Sequence, residues 1–158
     1  MIMGAILASN FKLYQCATWA EGTTHGGDIG ATEIASSGDQ IIFDDVTDAQ
    51  RVSGVTEYRK VFFKNLNADS VSIKAWINQQ YTATNEKITV ALAQSVSDTQ
   101  SAAAAYTYVS PTTISHADVL DCGALAQNGY KGVWIKRVVT AGGNGYAVDT
   151  MALGFGMY

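Results

Sequence analysis

Proline is almost missing from this chain, with Pro111 alone, and charge is scarce, at 15% of residues. Disordered chains show the opposite balance, much charge and little hydrophobicity, whereas 47% of these residues are apolar. Cysteine is represented only by Cys16 and Cys122. Two are too few for the disulfide framework of a small secreted domain. Neither stands in a CxxC pair or beside a histidine, so the reading is two free thiols, with no zinc or redox centre. Basic charge is also short. The net charge is -4, which removes the phosphate attraction that dominates nucleic-acid affinity. The densest basic spots, Arg59–Lys60 and Lys136–Arg137, lie inside hydrophobic runs and trace no stripe. Long apolar runs are missing too. Residues 1–8 are apolar but too short for a membrane span and lack a basic flank. Neither direct nucleic-acid binding nor a membrane is expected.

What is present points to strands. At 158 residues the chain has the length of one domain. Fifteen Gly, eight Tyr, five Phe and three Trp suit strands and tight turns. The clearest strand is Thr56–Asn65, TEYRKVFFKN. After an Asn67–Asp69 turn, Ser70–Asn78 alternates, with Val71, Ile73, Ala75 and Ile77 on one face, and the two read as an antiparallel hairpin. Lys87–Ala93 and Gly132–Thr140 are further strands, and Tyr146–Tyr158 ends the chain as another. Residues 29–43 read as strand, turn and strand. Thr112–Asp118 reads as a short strand and Leu120–Leu125 as a turn. Residues 94–113 read as a loop carrying one helical turn. Thr47 is placed to cap a helical turn that Gly54 stops. No helical pattern of 10–15 residues alternates with these strands. The expectation is all-β: one domain over residues 1–158, a β-sandwich or jelly-roll-like fold, with residues 1–20 as a possible extended N-terminal arm. Tyr58–Lys64 and Trp134–Val139 should be central.

The residues that carry chemistry do not converge. Ser115, His116 and Asp118 are triad types, but they are sequence neighbours, and triads gather their members from distant elements. His25 beside Gly26–Gly27 reads as an exposed loop histidine, with a ligand or pH-sensitive contact as the alternative. Asp44, Asp45 and Asp48 are the densest acidic group. They lack the Gly and distal Glu of a calcium loop, which favours turn formation and capping over a cation at a subunit junction. Residues 141–145, AGGNG, lack the Lys-Ser/Thr ending of a phosphate loop. Glu57, close to Arg59 and Lys60, suits a pair across a sheet or a subunit edge better than a base. No catalytic residue, cofactor or metal is expected, and no enzymatic activity.

One long segment is distinctive. Gly26–Gly27–Asp28–Ile29, Thr32–Glu33–Ile34, Ser37–Gly38, Phe43–Val46, Gly54 with Thr56–Asn65, and later Gly132–Val139 together resemble a family of small virion structural proteins of tailed phages. The matched motifs span roughly residues 26 to 140 and are specific as a set. The spacer Asp48–Ser53 departs from the family pattern. The resemblance implies a location in a virion.

Expectations for function follow from both lines. The chain reads as a capsid decoration or cement protein on the outer surface of a phage head, made in the host cytoplasm. Its partners would be copies of itself, as a dimer or trimer, and the major capsid protein. The alternatives are a tail, collar or baseplate protein, or a fibre or receptor-binding module using Tyr106, Tyr108 and Tyr130. Candidate assembly contacts are Ile2, Ile6 and Phe11 near one end of the chain and Phe155 and Tyr158 near the other, with Gly154 and Gly156 letting backbones approach.

Overall fold

The computed structural model of the chain describes residues 6–20, 22–35, 41–143 and 151–158. Within them the strands are β1 (Phe11–Thr18), β2 (Gly26–Ile34), β3 (Val55–Asn65), β4 (Val71–Gln79), β5 (Glu86–Leu92), β6 (Leu120–Leu125), β7 (Tyr130–Val139) and β8 (Ala152–Met157). They form two antiparallel sheets, one in the order β2-β1-β3-β7-β5 and one in the order β6-β4-β8. Two short helices, α1 (Asp48–Ser53) and α2 (Gln100–Ala103), interrupt them. The fold is all-β, a sandwich of unequal sheets.

β3 sits at the middle of the larger sheet, and β7 lies beside it in unbroken register from Val55↔Val139 to Lys64↔Tyr130. Both expected central strands are therefore central, and adjacent. Because side chains alternate along a strand, each strand supplies two faces. Val61 and Phe63 of β3, Val133 and Ile135 of β7, and Ile88 and Val90 of β5 meet Val71, Ile73, Ala75 and Ile77 of β4 in the main core. Each such side chain contributes roughly 1.5–3 kcal/mol when fully buried. On the opposite face of the larger sheet, Tyr58 and Trp134 are covered by Ala103 of α2 and by Tyr106 and Tyr108. The loop after β5, with its single helical turn, thus forms a third layer.

Several expectations change. Residues 1–20 are not all an arm, since Phe11–Thr18 is an inner strand between β2 and β3. β3 and β4 are strands where expected but do not pair; they belong to different sheets. The corner between them is built by asparagines. Asn65 Nδ2 donates to the carbonyls of Asp69 at 2.9 Å and Leu125 at 2.8 Å, and Asn65 Oδ1 accepts from the Asn67 N–H at 2.9 Å. These bonds satisfy a buried turn that leaves one sheet for the other. Leu120–Leu125 is a strand rather than a turn; its small residues accommodate a register shift opposite Ile73/Lys74. Thr112–Asp118 contains no strand, and β2 already starts at Gly26. Residues 41–43 are a bend, while 36–40 and 144–150 lie outside the described residues. The capping expectation holds: Thr47 Oγ1 accepts from the Gln50 N–H at 3.2 Å, Gln50 Oε1 accepts from the Thr47 N–H at 2.8 Å, and Gly54 ends α1.

Candidate functional site

Lys60 points to the outer face of the larger sheet, where a lysine ordinarily reaches water. It is instead fully buried, because residues 94–99 fold back over it. Its ammonium donates to the carbonyls of Val96 at 2.8 Å, Gly27 at 3.0 Å and Ser95 at 3.2 Å, and it forms an ion pair with Asp98 Oδ1. The rings of Phe62 and Trp134 flank it, with centroids 4.9 and 5.7 Å away. The second carboxylate oxygen of Asp98 accepts from the Tyr106 hydroxyl at 2.5 Å and the Gln94 N–H at 3.2 Å. Burial pushes the Asp98 carboxyl upward, but the bonds from Lys60 and Tyr106 and the ammonium charge outweigh it and hold Asp98 below the usual range. Tyr106 is pushed up to about 12 by burial and by that carboxylate. The loop thus builds an oxygen cage of the kind that takes a cation, and the chain fills it with its own lysine.

Gly26 explains how the loop comes so close. A Cβ there would lie 2.6 Å from the Asp98 carbonyl oxygen, so only glycine admits the contact. The Gly27 N–H then donates to the Asp98 carbonyl at 2.9 Å, and the Gln100 N–H to the His25 carbonyl at 2.8 Å.

His25 belongs to the same cluster and is fully buried, not the exposed loop histidine expected. Its Nε2 accepts the Lys60 backbone N–H at 2.9 Å, which leaves Nδ1 to carry the proton and donate to the Ala20 carbonyl at 3.1 Å. Trp19 and Trp134 pack edge-on against the ring. Burial pushes its pKa down to about 4. Cys16 Sγ lies 3.4 Å from Nε2, the spacing of a thiol and its base. The Nε2 lone pair is already taken by Lys60, however, and burial raises the Cys16 thiol further. A buried, protonated thiol is no nucleophile.

The other sequence candidates stay apart. His116 Nδ1 accepts the Asp118 N–H at 3.1 Å, and Ser115 Oγ lies beside Thr113 Oγ1 at 3.3 Å, so these three form a surface turn. Asp48 pairs with Arg51 at 3.5 Å, and no group of three or more metal-ligating side chains occurs among the described residues. Glu57 pairs across the sheet as expected. Its Oε2 accepts from Arg137 Nε at 2.8 Å and Nη2 at 2.5 Å, and the Phe43 ring packs under both Arg59 and Arg137. A cleft of about 370 Å³ lies beside β5, lined in part by Leu92, Tyr106, Val109, Asp118 and Leu120. The tyrosines of the receptor-binding alternative are engaged internally: Tyr108 donates to the Ala103 carbonyl at 3.1 Å, and Tyr130 packs on Phe62.

The candidate assembly contacts divide. Ile2 lies outside the described residues. Ile6 and Tyr158 are exposed, at 43% and 60%. Phe11 is buried in its own core, and the half-buried Phe155 packs there against Phe11 and Phe63 at 6.3 and 5.4 Å, so both rings contribute to the core of their own domain. Gly154 and Gly156 admit no second backbone from the outer face of their sheet; the Trp76 indole of the same chain lies across them. Tyr158 is pinned by its hydroxyl, which donates to the Asp121 carboxylate at 2.7 Å, and by Lys74 over its ring. Sequence reasoning passed over Lys60 and Asp98. The only signal was a lysine inside an apolar run with a Gly-Gly pair upstream.

The chain matches no protein-family model and no curated protein. Its fold and contacts define an all-β sandwich whose buried polar side chains fasten its own loops.

Proposed function

We propose that this chain is a structural protein of a phage particle, a decoration or cement subunit on the outer surface of the head. One observation carries the reading: the segment that resembles virion structural proteins, Thr56–Asn65, spends its polar residues on holding the chain together. Glu57 pairs with Arg137, Lys60 clamps the loop at 94–98, and Asn65 builds the corner between sheets. A motif of that kind preserves a rigid protomer, which is what a lattice-covering subunit supplies. The acidic balance, -4, suits an outer surface better than a DNA-filled interior, where like charges repel. Its partners in this reading are the major capsid protein and other copies of the chain. A tail, collar or baseplate protein is the second reading, since a small β domain also polymerises in rings and tubes.

Localisation in intact particles by electron microscopy, with quantitative gel analysis of copy number, tests the proposal. Decoration requires hundreds of copies on the head. A dozen or so copies in one ring would move the chain to a collar or baseplate, and absence from purified particles would end the virion reading.

A further inference from the structure

The inner face of the smaller sheet closes the core, and among the described residues no second layer of helix or sheet packs on its outer face. Alternation assigns the outer positions. They are Asp121 on β6, Ser72, Lys74 and Trp76 on β4, Gly154 and Gly156 on β8, and Tyr158 just past its end. Two aromatic side chains lie down on this face. A Cβ on Gly154 would come nearest to Trp76 Cε2, an atom at the fusion of the two indole rings, and next to Nε1 and Cζ2 on either side of it. An approach to the ring edge would meet those outer two atoms first, so the indole turns its face to Gly154. At Gly156 a Cβ would lie 3.3 Å from both Cη2 and Cζ3, at the far end of the indole. The ring therefore runs along β8 above two glycines. Glycine inside a strand marks a place of close approach, and here the indole is what approaches.

With one face on the strand, the half-buried Trp76 keeps its remaining surface on the side turned to water. Tyr158 starts beyond β8 and its hydroxyl ends on Asp121 of β6 at 2.7 Å. Its ring therefore spans β4, and the residue is 60% exposed. Lys74 Nζ stands 4.4 Å from that ring's centroid, and Ile114, 37% exposed, packs over Gly156 between the two aromatics. Gly156 and Tyr158 are two residues apart, roughly 7 Å along a strand, so one short ligand chain reaches both rings.

Size, charge and chemistry select the occupant. Three strands about 4.8 Å apart and about 20 Å long make a face of roughly 300 Å². That is under half of the roughly 800 Å² each partner supplies to a stable protein interface, so the face suits a small ligand rather than a protein. Its side-chain charges, Lys74 and Asp121, offset each other, and the chain is acidic overall, which disfavours a phosphate-bearing ligand. Aromatic faces carry negative potential and attract C–H groups polarised by neighbouring oxygens, while an ammonium and a carboxylate bond hydroxyls strongly. A pyranose offers both, a flat C–H face and a rim of hydroxyls. We infer that the outer face of the smaller sheet binds a neutral oligosaccharide. Its sugar rings stack on Trp76 and Tyr158, and its hydroxyls bond to Lys74 and Asp121. The site stands independently of the virion reading.

Titration of the full chain with neutral hexasaccharides of glucose, mannose, galactose and N-acetylglucosamine, followed by two-dimensional NMR, tests this. The expected result is weak binding of at least one of them, with shifts at the Trp76 indole N–H and the Gly154 and Gly156 amides and none at the buried Trp134 indole. Losing one stacked ring should weaken binding about tenfold for Trp76→Ala and about threefold for Tyr158→Ala. Silence across all these sugars overturns the inference. So does binding whose shifts fall elsewhere, such as the cleft beside β5, or binding unchanged by both substitutions. The shifts in the unaltered protein decide even if Trp76→Ala fails to fold. Absence from particles would leave the sugar site standing, and a chain that binds no sugar would leave the virion reading standing.

Discussion

Lys60 on β3 and Asp98 in the loop after β5 form an ion pair in which the lysine is wholly buried and the aspartate is 8% exposed. Breaking such a pair from one side leaves an uncompensated charge in the interior, which costs about 3–5 kcal/mol. Lys60→Met should therefore destabilise the chain by that amount in urea unfolding, and Lys60→Met with Asp98→Asn should recover part of the loss. A single substitution costing under about 1 kcal/mol would mean that the cage does not fasten the loop.

Acid should weaken the protein in two stages. His25 has a pKa of about 4 in the fold against an ordinary 6.5, so the unfolded chain takes up its proton first. Stability then falls as pH drops from 6.5 toward 4 and levels off below, a loss on the order of 3 kcal/mol. Asp98 is held low instead, so its contribution is present above the ordinary value of 3.8 and is lost as pH falls through its folded pKa. Denaturant midpoints measured against pH should show both slopes, and His25→Gln should abolish the upper one only. A flat profile between 6.5 and 4 in the unaltered protein would contradict the burial argument.

Gly154 is required by Trp76. A Cβ there would lie 2.3 Å from the indole, so Gly154→Ala should cost about 1–3 kcal/mol through overpacking. Trp76→Ala should make the alanine tolerable, giving a clear coupling in a double-mutant cycle. Strict additivity would show that the ring moves aside freely.

The corner at Asn65 should be equally sensitive. Asn65→Ala leaves the carbonyls of Asp69 and Leu125 without this donor, a loss of about 2–4 kcal/mol. Asn65→Asp keeps the acceptor for the Asn67 N–H but not the donors, and should not restore stability. A neutral effect of alanine, read from the urea midpoint, would assign the corner to packing alone.

Much of the fold was legible because alternation is local. The inward faces of β4 and β5 follow from period-two patterning. Pairing was not legible. Nothing in the sequence tells the Asn67–Asp69 turn of a hairpin from a corner between sheets, since the difference lies in what the Asn65 side chain meets sixty residues later at Leu125. The cluster at Lys60 stayed hidden for the same reason: Gly27, His25 and Asp98 are brought together by the sheet, not by spacing. The terminal aromatic Phe155 read as free for a neighbour because apolar composition does not say whose core it enters.

The partner that β3 needs on its far side, β7, follows it by more than sixty residues. On a ribosome adding roughly 5–20 residues per second, this strand, with Val61, Phe62 and Phe63 in succession, waits several seconds with that edge unpaired. Arg59, Lys60 and Lys64 bracket its Val61–Phe63 run, and such residues flanking an aggregation-prone strand act as gatekeepers. The lysine that ends as the clamp of the finished fold first serves to keep the nascent strand from sticking to others like it.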